Sequence, residues 1–173
     1  MNFLFRGRCF KFGENIHADG DCSPLAMAIA RETRPEVLRE VAMTGLDPEF
    51  PNKVKPGDII VAGKNFGCGH AHIQGVLAIA ACKVGLVVES TPYANLRNTV
   101  NAGLPTLTGC AGVRDLCETG DELEVDFASG AFRNLTSGRS AQYKPMSAEL
   151  RETIALGGWK PMVMRRVAEM KKQ

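Results

Sequence analysis

Hydrophobic residues are most regularly placed between Asp58 and Leu107. An apolar run over residues 58–63 predicts a buried β-strand, and a second run over 86–90 predicts another. Between them lie a glycine-rich loop over 64–69 and small apolar residues over 70–83, which predict a buried helix. Strand, helix and strand in this order predict a βαβ unit with a right-handed crossover, and therefore an α/β fold.

Further elements are expected on both sides of this unit. Strict alternation over residues 121–127, the turn Ser129-Gly130 and a second run over 131–136 predict a β-hairpin with one face exposed to solvent. Thr91 is the expected N-cap of the helix after the second strand. Proline starts and glycine stops predict helices over 24–31, 35–45, 93–102, 147–156 and 160–172, with a short strand over 104–107.

Composition and charge restrict the class of protein. The chain has 173 residues, of which 45% are hydrophobic and 23% charged, and it contains no repeat and no linker-like run. These values predict one folded domain over residues 1–173, with a helical tail from about 147 to 173, and no membrane-spanning segment. The 21 lysines and arginines and 19 acidic residues leave a net charge of +2, which is small for a chain whose main task is to neutralise phosphates, so nucleic acid is not the expected partner. The N-terminus lacks the pattern of a signal peptide, so a cytoplasmic protein is expected.

Six cysteines are spread along the chain, and no two of them form a C-x-x-C pair. The spacing therefore does not indicate a zinc finger or a thioredoxin-type redox site. Reduced thiols, several of them buried, are expected instead.

The loop between the first strand and the buried helix reads Asn-Phe-Gly-Cys-Gly-His over residues 65–70. At such a position unpaired backbone amides and the positive end of the helix dipole converge, which suits a carboxylate or a phosphate. Gly67 and Gly69 carry no side chain that would keep a ligand from the backbone, and Cys68 lies between them. The sequence is compatible both with an anion site at these three residues and with a tight turn. Neither a P-loop nor a dinucleotide-binding fingerprint is present.

Two of the three histidines of the chain, His70 and His72, follow at intervals of two residues from Cys68. In an extended segment these three side chains would share one face, which is compatible with a metal site; a fourth ligand is not visible, and no metal ligand is assigned. A histidine that acts as a general acid or base and a neutral histidine that caps the helix are the other interpretations. Upstream, the polar segment 14–21 predicts either an Asx-rich turn or a cluster that positions a hydroxyl group or a side chain of a partner.

Four segments match the pattern of a known family: Lys-Phe-Gly-Glu-Asn-Ile at 11–16, Leu-Asp-Pro-Glu-Phe at 46–50, the run from 54 to 69, and Arg97-Asn98 with Gly-Leu-Pro at 103–105. They resemble the small subunits of 3-isopropylmalate dehydratase, the swivelling domain of the aconitase superfamily. The resemblance extends from about Arg8 to Gly158 and implies a β/β/α swivelling fold around the βαβ core.

This resemblance also implies a function. It implies a hydro-lyase of leucine biosynthesis that acts on a small hydroxy di- or tricarboxylate between two subunits. The separate large subunit holds a [4Fe–4S] cluster through its own cysteines, so no cofactor is expected in this chain. The small subunit contributes a base and a group that binds a substrate carboxylate.

The chain departs from this family directly after the glycine-rich loop, where the family continues Ser-Ser-Arg and this sequence has His70-Ala71-His72. By position, the resemblance implies that His70 stands for the serine base and His72 for the arginine that binds a carboxylate. Asp19 is the remaining aspartate of the family's Asp-Thr-Asp turn. The implied catalytic residues are therefore His70 and His72, and the implied substrate-binding residues are Gly67, Cys68, Gly69, Ala71 and Asp19.

Three interpretations follow. The chain acts in a dehydratase with a rearranged base, it is a noncatalytic or regulatory paralogue that still docks to a large subunit, or the fold holds an unrelated carboxylate-binding site. Two histidines at the two chemically demanding positions favour the first, because random loss of function would more often leave neutral or small residues there. A cluster-bearing large subunit is the expected partner, and a homo-oligomer is the alternative for the isolated chain.

Overall fold

The computed structural model describes residues 2–70 and 72–171. Within these ranges the strands are β1 (Leu4–Lys11), β2 (Ile59–Ala62), β3 (Gly85–Val88), β4 (Thr106–Leu107), β5 (Glu122–Asp126), β6 (Ala131–Asn134) and β7 (Ser140–Gln142). The helices are α1 (Leu25–Ile29), α2 (Pro35–Arg39), α3 (Phe50–Lys53), α4 (Ile73–Ala81), α5 (Tyr93–Asn101), α6 (Ala148–Ala155) and α7 (Trp159–Met170), with a 3-10 helix at Val113–Leu116. None of the helices in the described residues is long and apolar enough to cross a membrane.

The strands form one mixed sheet in the order β4-β3-β2-β1-β5-β6-β7. The pairs β1–β2, β2–β3 and β3–β4 are parallel, and the pairs from β1–β5 to β6–β7 are antiparallel. The predicted βαβ unit is confirmed as β2, α4 and β3, with Ile59 paired to Gly85 and Ala62 to Val88. The predicted hairpin is confirmed as β5 and β6, and Leu123 and Val125 of β5 are buried while their neighbours are not.

The strand β1 was not predicted, although it lies at the centre of the sheet. It pairs in parallel with β2 and antiparallel with β5. Its sequence, Leu-Phe-Arg-Gly-Arg-Cys-Phe-Lys, has no two-residue alternation. The reason is that Cys9 and Phe10 are both buried, on opposite faces of the sheet, while Leu4 at the start of the strand is exposed.

The hydrophobic core has two parts, one on each face of the sheet. In β2, Ile60 and Ala62 belong to the part that lies under α2, α4 and the segment before β2, whereas Ile59 and Val61 belong to the other. This alternation follows from the two-residue repeat of a strand that is covered on both faces. The second part also contains Val125 of β5, so the antiparallel half of the sheet curls over the parallel half.

Three predicted boundaries are wrong. The helix α4 begins at Ile73 with His72 at its N-cap position, three residues later than expected. The helix that begins at Pro35 ends at Arg39 rather than near Gly45. Thr91 is not the N-cap of α5, because its hydroxyl donates a hydrogen bond to the Phe66 carbonyl (2.7 Å) and Pro92 occupies the N-cap position.

Candidate active site

The candidate site lies where β1 and β2 end. These strands are parallel neighbours, with Lys11 paired to Val61, so the segments that follow them leave the sheet at the same edge. The segment after β1 contains the turn 14–21, and the segment after β2 contains the glycine-rich loop 64–69. Two regions about fifty residues apart in sequence are thereby placed side by side.

Backbone hydrogen bonds join the loop to the turn. The amides of Gly67 and Cys68 both donate to the Ile16 carbonyl, at 2.8 and 2.9 Å, and the Ala18 amide donates to the Cys68 carbonyl at 3.1 Å. His17 and Cys68 form an isolated parallel β-bridge. The expectation of unpaired amides at Gly67 and Cys68 is therefore wrong, because both amides already have a carbonyl acceptor.

The loop residues differ in what they offer a ligand. Gly67 has φ of +73°, and an added Cβ would overlap the side chain of buried Asn95, so this glycine serves close packing. The Cys68 side chain is buried. Gly69 is exposed, and within the described residues its amide has no protein acceptor. Of the three residues assigned to an anion site, Gly69 alone keeps the backbone donor that such a site needs.

His72 and Asp19 form the closest polar side-chain pair at this edge of the sheet. The His72 Nδ1 atom lies 2.7 Å from Asp19 Oδ2. The Asp19 side chain is 16% exposed and that of His72 is 41% exposed. With Nδ1 protonated and donating to the carboxylate, Nε2 of His72 is available to a substrate. The other carboxylate oxygen of Asp19, Oδ1, is buried and has no partner within the described residues.

His70 lies next to this pair. The ring centroids of His70 and His72 are 4.7 Å apart, in an edge-to-face arrangement. His70 is exposed, and its carbonyl accepts a hydrogen bond from the His72 amide at 3.0 Å. The structure therefore brings together His70, His72 and Asp19, as the sequence implied. Ala71, the remaining assigned residue, lies outside the described residues.

The close approach of α4 to the turn depends on a glycine in the first turn of the helix. A Cβ added at Gly75 would lie 2.5 Å from the Ala18 carbonyl oxygen and 3.0 Å from Cys22 Cβ. Gly75 thus allows the start of α4 to pack directly on the backbone of the turn. This packing sets the distance between His72, at the N-cap position of α4, and Asp19.

The third histidine, His17, also lies at the site, although no sequence pattern assigned it there. Its amide donates to Asp21 Oδ2 at 2.8 Å, and its Nδ1 lies 3.3 Å from the same oxygen. Its ring lies over Gly69, since a Cβ added there would be 3.2 Å from His17 Cδ2. The sequence pattern that could have indicated His17 is His-x-Asp-x-Asp over 17–21. It supplies two carboxylates, Asp21 for His17 and Asp19 for His72.

The thiols do not form a metal centre. All six cysteines are free and buried, and no group of three or more His, Cys, Asp or Glu side chains within the described residues is arranged to hold a metal ion. Burial raises the pKa of the Cys82 thiol to about 11 and that of Cys110 to about 12. An iron–sulfur cluster requires several converging thiolates, so these cysteines do not fit one.

Comparison with known proteins gives a consistent set of relatives. No family model matches the sequence. The chain is 39% identical over 170 residues to the isopropylmalate/citramalate isomerase small subunit of Methanocaldococcus jannaschii, covering 98% of this chain and 99% of that protein. It is 40% identical over 156 residues to the 3-isopropylmalate dehydratase small subunit of Pyrobaculum calidifontis (90% and 94% covered). It is 36% identical over 162 residues to the methanogen homoaconitase small subunit of Methanothermobacter thermautotrophicus (91% and 89% covered).

The fold has a close counterpart among solved structures. A crystal structure of 3-isopropylmalate dehydratase from Methanocaldococcus jannaschii matches with a TM-score of 0.84 and 32% sequence identity. The match covers 98% of this chain and 99% of that chain. The α/β swivelling fold expected from the sequence is confirmed.

Proposed function

The chain belongs to the family of 3-isopropylmalate dehydratase small subunits, and from this membership we propose that it is the small subunit of an aconitase-type hydro-lyase. Its substrate is a small hydroxy di- or tricarboxylate, the class of compound for which its relatives are named. The reaction removes water and adds it back at the neighbouring carbon. The chain acts as a single swivelling domain in the cytoplasm, and leucine biosynthesis is the pathway.

The proposed partner is a large subunit that holds a [4Fe–4S] cluster. The names of the relatives as small subunits support a larger partner, and the buried thiols of this chain, no three of which converge within the described residues, do not fit a cluster of its own. When bound, such a cluster supplies a Lewis acid that stabilises the departing hydroxyl group. This chain supplies the groups that bind a carboxylate and move a proton.

One observation carries the assignment of roles: His72 Nδ1 lies 2.7 Å from Asp19 Oδ2. In that contact Nδ1–H of His72 donates to the partly buried carboxylate, which fixes the direction of the ring. The contact leaves Nε2 free, and with a proton on it Nε2 donates to a substrate carboxylate. It thus takes the place of an arginine, with one donor toward the ligand where a guanidinium has two in a fork.

His70 is the proposed base. Its ring lies beside that of His72, with the centroids 4.7 Å apart, and the unprotonated nitrogen of a neutral imidazole can accept a proton. Neutral His70 takes a proton from the carbon next to the one that bears the hydroxyl group. The same imidazolium returns the proton when water is added back, so the base is regenerated within one cycle.

The proposal is tested by co-expression with large subunits encoded in the same genome and anaerobic assay on 3-isopropylmalate, citramalate and homoaconitate. We expect His70→Ala to lower kcat by at least about a hundredfold, the usual contribution of a general base. His72→Gln is expected to raise KM by about tenfold, the effect of losing one charge-assisted hydrogen bond.

The matched control for His72→Gln is His72→Arg, which restores a permanent positive charge and should keep KM at or below the value of the unmodified complex. Full activity of the double variant His70→Ala, His72→Ala would refute the assigned roles. A complex that assembles but turns over none of the three compounds would favour the noncatalytic paralogue instead.

A further inference from the structure

We propose that His17 is a specificity-determining residue that binds the second carboxylate of the substrate. The inference rests on the proposed function, since it concerns the same site. No lysine or arginine is ion-paired with Asp19 or Asp21 within the described residues; the side chains in contact with these carboxylates are His72 and His17. Each of the two carboxylates therefore faces a histidine ring.

The His17–Asp21 pair repeats the arrangement of His72 and Asp19. In both pairs a carboxylate oxygen of the turn faces Nδ1 of the imidazole, at 3.3 Å for His17 and 2.7 Å for His72. In both, Nε2 is then left for a ligand. Asp21 Oδ2 is itself fixed by the His17 amide, at 2.8 Å, so the carboxylate that orients the ring does not depend on the ring.

The position of His17 is set by the loop that carries His70. The β-bridge between His17 and Cys68 fixes the backbone of the turn against the loop. The His17 ring lies over Gly69, the residue directly before His70, and 60% of its side chain is exposed. A ligand that contacts His70 and the free Gly69 amide is therefore next to an accessible imidazole on the turn.

A third histidine suits a ligand with two carboxylates. Asp19 and Asp21 are themselves negative and repel an anionic ligand, so such a ligand needs a ring donor beside each of them. His72 is assigned to one carboxylate of the ligand and His17 to the other, each through the Nε2 atom that its contact with the turn leaves free, while His70 is left as the base.

The test compares variants in the complex with the large subunit, on whichever of the three compounds the unmodified complex converts. We expect His17→Gln to raise KM by about tenfold while kcat changes by less than about threefold. His17→Lys, which carries a permanent charge, should return KM to within about threefold of the unmodified value. The control is Lys55→Gln, which removes an exposed charge at the opposite end of β2 and should change neither parameter.

Two results would overturn the inference. One is an active complex in which His17→Gln leaves KM unchanged. The other is an equal loss in His17→Gln and His17→Lys, which would show that the residue acts by packing and not by charge.

If the unmodified complex converts none of the compounds, the proposed function fails. The role of His17 is then tested by a direct binding measurement. The imidazole signals of His17 are then followed by NMR while the full chain is titrated with citramalate. A saturable shift of these signals supports the role of His17, and the absence of any shift refutes it.

Discussion

At the scale of single residues, burial decides which cysteines can react. Burial is the largest cause that raises the pKa of the Cys22 thiol, and it raises that of Cys82 to about 11 and that of Cys110 to about 12. The thiolate is the nucleophile, and near neutral pH a thiol with such a pKa is almost fully protonated. These residues therefore serve the core and not the chemistry of the site.

We predict that iodoacetamide at pH 7.5 leaves Cys22, Cys82 and Cys110 unlabelled in the folded chain, and that all six cysteines are labelled in denaturant. Mass spectrometry of the digested protein gives the extent of labelling at each cysteine. Tyr93→Cys is the positive control, because the Tyr93 side chain is 76% exposed and a cysteine there should react quickly. Labelling of Cys82 or Cys110 at the rate of the control would contradict the prediction.

At the scale of elements, the contact between α4 and the turn before Cys22 links the fold to the site. Gly75 in α4 leaves room for the Ala18 carbonyl, and His72 then reaches Asp19. In an exposed helix an alanine would be more stable than a glycine by about 0.5–1 kcal/mol. Here the clash outweighs that gain, because the nearest neighbour is backbone and cannot rotate away.

We predict that Gly75→Ala lowers the free energy of unfolding by about 1–3 kcal/mol, the usual cost of overpacking, and separates His72 from Asp19. Urea denaturation measures the free energy of unfolding. The NMR signals of the His72 ring show whether it still contacts Asp19. Gly13→Ala is the matched control, because nothing lies within 4 Å of an added Cβ there. A Gly75→Ala protein as stable as the unmodified chain, with unchanged His72 signals, would show that α4 does not depend on this contact.

The elements also show how far the sequence could predict the structure. The βαβ unit and the hairpin were found because their apolar runs and alternation are local signals. The strand β1 was missed, because a central strand buried on both faces at Cys9 and Phe10 shows no alternation. His70 and His72 were predicted because they directly follow the glycine-rich loop in sequence. His17 lies beside them only because β1 and β2 pair in parallel, and no local sequence pattern indicates that pairing.

The glycine-rich loop 64–69 shows a second feature that the sequence could not predict. Glycines after a strand correctly indicated close backbone approach, but the sequence could not show which group approaches. At Gly67 and Cys68 the acceptor is the Ile16 carbonyl of the protein itself, and at Gly67 the close neighbour is also Asn95. Only the pairing of two distant segments decides whether an amide is left for a ligand.

At the scale of the whole molecule, the two halves of the sheet share one of the two parts of the core. Phe127, directly after β5, is fully buried in the part of the core that also contains Val61 and Val87 of the parallel strands. An added Cβ at Gly85 of β3 would lie 2.5 Å from Phe127 Cζ, so the ring fills the space that this glycine leaves. The parallel half, which carries the site, is therefore expected to unfold together with the antiparallel half.

We predict that Phe127→Ala lowers the free energy of unfolding by about 3–5 kcal/mol, the usual cost of removing a buried phenylalanine. Because Phe127 contributes to the core of both halves, circular dichroism and the fluorescence of Trp159 should report the same lowered urea midpoint. Leu135→Ala, at a residue 39% exposed beside the hairpin, is the control and should change stability by less than about 0.5 kcal/mol. Two separate transitions in Phe127→Ala would mean that the halves fold independently, which would contradict a single swivelling domain.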